Sequence, residues 1–185
     1  QPFTAPDGAA AIKQDHVRIA LESRSELAPL AEQLKQQGST ETEARQKTVA
    51  HMLDFVQSIP YQLLDSQSGR QGKGFLTPRQ VLEQNQGDCD SKVALLASLW
   101  RYLKPEIPQV LLFVPNHALL GIALPARGQD ETAPASGRRW LLVEPTGPAE
   151  LTAGQISPPS KLYIQSRSFQ AVPVQAIDKN STPSR

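Results

Sequence analysis

The sequence is short of several things, and each shortage removes a class of explanation. One cysteine in 185 residues excludes a disulfide within the chain and any metal site built on two or more thiolates. Neither sign of charge dominates, since 19 basic residues against 18 acidic ones give a net charge of +1. A basic stripe able to neutralise phosphates is therefore missing, and nucleic acid is not an expected partner. No apolar run reaches the roughly 18 residues that cross a bilayer, and the N-terminus lacks the charged-then-apolar plan of a signal peptide. Because the chain starts at Gln1 and not at Met, a removed leader or an excised piece of a longer protein is expected. Periplasmic or extracellular location follows as an expectation, with a link to a membrane protein if the chain is an excised domain.

What is present suits one core: 39% of residues are hydrophobic, with 16 prolines and 11 glycines to make turns. A single domain over 1–177 is expected, followed by a disordered polar tail over 178–185. Residues 9–37 carry an imperfect helical stripe with a break or kink at Pro29 and an end at Gly38. Thr40 followed by Glu43 has capping-box spacing, and Ala44, Val49, Met52, Leu53 and Val56 then fall at helical intervals up to Pro60. Between Leu64 and Phe75 almost nothing is apolar, which predicts an exposed loop. Its Gly69–Gly74 stretch has the wrong spacing for a phosphate loop and no following Ser or Thr to hold magnesium.

Thr77, Pro78 and Gln80 predict the capped start of a short helix. A second helix is predicted from Cys89 to Leu103, where Val93, Leu95, Leu96, Leu99, Trp100 and Leu103 form a broad apolar face. Three short apolar runs, 110–114, 118–124 and 140–143, read as strands of an antiparallel sheet, with 125–138 as a protruding connection. Residues 161–165 and 171–175 are expected to add edge strands. The fold class is thus α+β: a helical part over 9–58, a core over 59–150 and extra strands over 151–177. Trp100 and Trp140 read as core. His16 and His51 lack ligands at metal spacing and read as ordinary helix residues, so neither a metal nor a cofactor is expected.

One thiol remains to be explained, and its position is informative. Gly87-Asp88-Cys89 places it at a helix N-terminus, where unpaired amides and the positive end of the dipole stabilise a thiolate and can receive an oxyanion. Asp88 is placed to cap the helix. Asp88 and Asp90 also flank the thiol with negative charge, which raises its pKa unless both side chains point away or are engaged in capping. His117 starts a predicted strand directly after Pro115-Asn116, and Glu144 ends the next, so a hairpin of these two strands sets imidazole and carboxylate side by side. The expected order is Cys89 as nucleophile, His117 as base and Glu144 as the group that orients it. Oxyanion donors are sought in the Cys89 amide and in the side chains of Gln84, Asn85 or Gln86.

Gly87-Asp88-Cys89, His117 leading a strand, and Trp140-Leu141-Leu142-Val143-Glu144-Pro145-Thr146 resemble the three motif blocks of transglutaminase-like thiol enzymes. Ile59-Pro60-Tyr61 is similar to an accompanying upstream element. The resemblance covers roughly residues 45 to 150 and implies a papain-like or transglutaminase-like α+β core, with a peptide or protein as substrate. Members of that family include crosslinkers, proteases, amidases and inactive forms, so the resemblance implies a mechanism more firmly than a substrate. The family's third block usually has Asp before Pro, where this chain has Glu144. A binding module that keeps the cleft and turns nothing over is the alternative, together with the bland reading of Cys89 as a small buried hydrophobe.

Overall fold

The computed structural model describes residues 2–4, 10–12, 15–64, 74–147 and 150–175. The loop expected over 65–73 and the tail expected over 178–185 lie outside them. Among the described residues the helices are α1 (His16–Ser23), α2 (Ala28–Leu34), α3 (Glu41–Ser58), α4 (Pro78–Gln84), α5 (Cys89–Leu103) and α6 (Pro158–Gln165). The strands are β1 (Pro2–Thr4), β2 (Ala10–Ile12), β3 (Gln109–Val114), β4 (His117–Ile122), β5 (Thr132–Ala135), β6 (Arg138–Val143) and β7 (Gln170–Pro173). β1 and β2 pair with each other, while the other five form an antiparallel sheet in the order β5-β6-β4-β3-β7. The architecture is α+β, with α5 starting at the cysteine and packed against β4 of the sheet.

The central strands read as nearly unbroken apolar runs because both faces of the sheet are covered. Leu111, Leu120, Ile122, Leu141 and Val143 point into the core shared with the helices. Val110, Leu112, Leu119, Trp140 and Leu142 form a second cluster, joined by Ile164 from α6. Trp100 and Trp140 lie in these two cores, as expected.

Four expectations need correcting. The break in the first helical stretch falls at Arg24–Leu27, and Pro29 sits in the first turn of α2. Proline is tolerated there because the first-turn amides have no helical acceptor. Residues 161–165 belong to a helix and not to a strand, since Pro158 and Pro159 preset helical φ at its start. Residues 125–138 hold a strand, β5, turned onto β6 through Ser136 and Gly137. Their φ values of 51° and 75° fit the primed turn that matches strand twist. Last, residues 10–12 are extended and not helical.

The caps follow the sequence closely. Thr77 and Gln80 form a complete capping box on α4. On α3 the Thr40 side chain accepts from the Glu43 amide at 3.2 Å, and the Glu43 carboxylate turns to the Ser39 amide instead of closing the box. Asp88 caps α5 by accepting from the Ser91 amide at 2.9 Å.

The buried Lys92 ties the start of α5 to two other elements. Its side chain is fully buried, and its amine donates to the Ile59 carbonyl at 2.6 Å and to the Thr146 carbonyl at 2.8 Å. Ile59 follows α3 and Thr146 follows β6, so one amine fixes both chain ends relative to the helix start. Gly87 packs closely beside it, since a Cβ there would lie 3.2 Å from Lys92 Cγ and the buried side chain would have to give way. The same glycine exchanges backbone hydrogen bonds with Pro60 and Gln62.

Burial pushes the Lys92 amine down to about 8, whereas a lysine in the unfolded chain keeps its ordinary value near 10.4. Between these values the unfolded chain binds more protons, so the cost of burying the charged Lys92 amine is relieved and stability rises as pH goes from about 8 to about 10. Denaturant melts across that range should show the rise in the wild type and its loss in Lys92→Met. Parallel curves for the two proteins would contradict the assignment.

Candidate functional site

Cys89 occupies the first position of α5, where the amides of the first turn have no preceding helical carbonyl. His117 enters from β4 because Pro115 and Asn116 make a tight hairpin between β3 and β4. Asn116 takes φ 57°, a left-handed value that asparagine tolerates better than most residues. Glu144 follows β6 directly. β4 and β6 are antiparallel neighbours with Leu120 opposite Val143, so the start of one strand lies beside the end of the other. They are not joined as a hairpin, however, since β5 intervenes in the chain.

His117 and Glu144 are in direct contact: the ring Nε2 and the carboxylate Oε1 are 3.0 Å apart. The second carboxylate oxygen, Oε2, accepts from the Ser157 amide at 2.8 Å. Gln57 donates to the Glu144 backbone carbonyl at 2.9 Å and to that of Leu151 at 3.0 Å, holding this strand end from behind. Burial pushes the Glu144 carboxyl upward, but the bonds from His117 and Ser157 outweigh it and leave the group below its usual range. An ionised Glu144 favours the tautomer with the proton on Nε2, which leaves Nδ1 able to accept one.

Cys89 and His117 line one cleft of about 870 Å³, together with Tyr61, Leu63, Asp88, Asp90, Phe113, Val114, Pro115, Asn116, Ser168, Phe169 and Gln170. Its walls are largely apolar, and Tyr61 and Leu63 are exposed at its surface. Gln84, Asn85 and Gln86 are not among the residues lining it. Gln86 instead donates to the Gln84 side chain at 3.3 Å, and Asn85 ends α4 in a left-handed conformation. The Cys89 amide lies in the first turn of α5, where helix amides have no preceding helical carbonyl.

The expectation that the helix start lowers the thiol pKa does not hold. Burial first, then the charges of Asp90 and Asp88, push Cys89 up to about 12. Asp88 is engaged in capping, but Asp90 faces the sulfur and accepts from the thiol at 3.6 Å. Two nearby carboxylates and lost water outweigh the helix dipole, which acts only within the first turn.

Sequence reasoning missed two contributors. His16 does begin α1, but it is buried at 5% exposure, with Nε2 3.5 Å from Asp90 Oδ2 and Phe75 edge-on to its ring. Nothing local in the sequence ties residue 16 to residue 90. The stretch after residue 150, read only as extra strands, brings the Ser157 amide to Glu144 and Ser168, Phe169 and Gln170 to the cleft. Pro158-Pro159 was the available signal for the helix start that positions Ser157. His51, by contrast, is an exposed residue of α3, as expected. Among the described residues no group of His, Cys, Asp and Glu could hold a metal ion, and no helix is long and apolar enough to cross a membrane.

No protein-family model matches the chain, and no curated protein matches it. Among solved structures, a candidate cysteine protease from Cytophaga hutchinsonii is similar to it over 91% of this chain and 54% of its own. The identity is 14% and the TM-score 0.44, and this chain spans about half the length of that protein.

Glu144 bridges His117 and Ser157 only because its side chain is long enough to do so. Glu144→Asp withdraws the carboxylate by more than one ångström and should leave one of the two bonds unmade, costing about 1–3 kcal/mol. Thermal unfolding of the variant checks this; an unchanged midpoint would mean that the bridge is not a stabilising contact.

Proposed function

We propose that the protein performs thiol-dependent acyl chemistry on a peptide or protein amide. The observation that carries this reading is the 3.0 Å contact of His117 with Glu144 at two neighbouring strand ends, with His117 lining the cleft that also holds the start of the Cys89 helix. In the reaction the Cys89 sulfur attacks the carbonyl carbon and its proton passes to His117 Nδ1. The oxyanion is received by amides at the helix start, and the C–N bond breaks as His117 returns the proton to the leaving amine. Water or an amine then attacks the thioester, giving up a proton to His117, and the thiol is released.

The raised thiol pKa bears on timing. A thiol held neutral must lose its proton as the carbonyl is attacked, so His117 acts as a general base and not as the partner of a standing thiolate. Glu144 keeps the ring oriented and stabilises the imidazolium that forms. Its extra methylene, relative to the Asp of transglutaminase-like enzymes, is accommodated by the second bond to Ser157.

A second reading is favoured by one observation, the thiol pushed up to about 12 beside Asp90. On that reading the apolar cleft grips a peptide without turning it over. An activated ester, p-nitrophenyl acetate, separates the two. The enzyme reading expects an acetyl adduct on Cys89 by mass spectrometry, none in Cys89→Ala, and acylation slowed by about 10²–10⁴-fold in His117→Ala. A Cys89→Ala protein that keeps full turnover would remove the thiol from the mechanism. Equal acylation with and without His117, joined to peptide binding unaffected by Cys89→Ala, would establish the binding module.

A further inference from the structure

The carboxylate of Asp90 has two partners. Oδ1 accepts from the Cys89 thiol at 3.6 Å, and Oδ2 lies 3.5 Å from His16 Nε2. The Asp90 side chain is 23% exposed and that of His16 only 5%, so the couple runs from the cleft into the interior. His16 is fixed there by Phe75, with ring centroids 4.8 Å apart and edge-on, and by Phe113 at 5.5 Å. α1 packs against α5, which brings its first residue over the first turn of the nucleophile helix. The proton acceptor for acyl transfer, His117, reaches the cleft from a different element and has its own carboxylate.

We propose that Asp90 and His16 form a second carboxylate–imidazole couple that sets the reactivity of Cys89. Asp90 is the positioning residue that keeps the thiol protonated at rest, and His16 acts through it by drawing charge off the carboxylate. The physical basis is simple: a full negative charge next to sulfur disfavours the thiolate, and a ring N–H or imidazolium on the far oxygen weakens that effect. The thiol therefore sits between two imidazoles with different tasks, one that takes its proton and one that moderates the group holding it. The titratable groups around the sulfur are Asp88 and Asp90 on α5, His16 on α1, His117 on β4 and Tyr61 in the segment after α3. Among them, Asp90 bonds the sulfur and also contacts a second buried side chain.

The inference rests on Cys89 being the reacting thiol, but its test reads alkylation and not turnover. With iodoacetamide, Asp90→Asn should move the pH midpoint of Cys89 alkylation down by about one unit or more, a roughly tenfold gain in rate below the midpoint. His16→Phe, which fills the same space, should move the midpoint up. In the double variant the His16 effect should vanish, because His16 acts only through Asp90. His16→Leu, which also lacks a donor and is compared by circular dichroism with the wild type, serves if the phenylalanine variant does not fold. An unchanged or raised midpoint in Asp90→Asn overturns the proposal, as does a His16 effect that persists without Asp90. Should this cycle fail while acylation still requires Cys89 and His117, only the second couple is wrong. Should acylation prove independent of Cys89 while the cycle holds, the enzymatic reading is wrong and the couple stands.

Discussion

A buried lysine amine holds three distant parts of the chain at one point. Lys92 lies on α5 one turn past Cys89 and donates to carbonyls that follow α3 and β6. The second of these comes two residues after Glu144. The positions of Cys89 and Glu144 are thus tied through a single side chain. Charge-assisted bonds to backbone carbonyls suit this purpose, because a buried amine without partners is costly and the native arrangement is the one that supplies them. Gly87 belongs to the same knot: it lets the chain pass close to Lys92 and pair with the segment after Pro60. Gln57 repeats the device from α3, binding the Glu144 and Leu151 carbonyls.

Around this knot the charge distribution decides what the thiol can do. The helix start offers amides and a favourable dipole, yet burial and two aspartates prevail. On the proposed reading, a neutral thiol that shares a cleft with His117 is a coherent resting state, as in serine hydrolases, where the nucleophile also gives up its proton only during attack. Glu144 keeps its charge because its two oxygens are separately satisfied, by an imidazole and by a backbone amide. The cleft is otherwise largely apolar, which lowers the local dielectric and strengthens each of these interactions.

Much of the local structure around the candidate site was legible in the sequence, for identifiable reasons. The Cys89 helix announces itself through strong 3.6-residue periodicity and a capping aspartate. His117 and Glu144 follow from short apolar runs bounded by turn residues, since adjacent antiparallel strands bring opposite ends together. What failed to show was contact without local pattern. The buried place of His16 depends on how α1 docks, and the role of Ser157 depends on the fold of a segment whose apolar residues suited strand and helix equally. Lys92 was hidden because a lysine on a helix ordinarily reads as exposed. The raised thiol pKa was half visible: the two aspartates were in plain sight, but only the structure separates the one that caps from the one that faces the sulfur.

Cys89 is the sole thiol, so its alkylation rate reports on the site without interference. The most direct measurement is that rate in the wild-type protein as a function of pH. The account predicts a sluggish thiol whose reactivity rises only well above the ordinary cysteine pKa of about 8.5. A reactivity plateau already reached below neutral pH would contradict it, because it would show a standing thiolate that neither burial nor Asp90 holds in check.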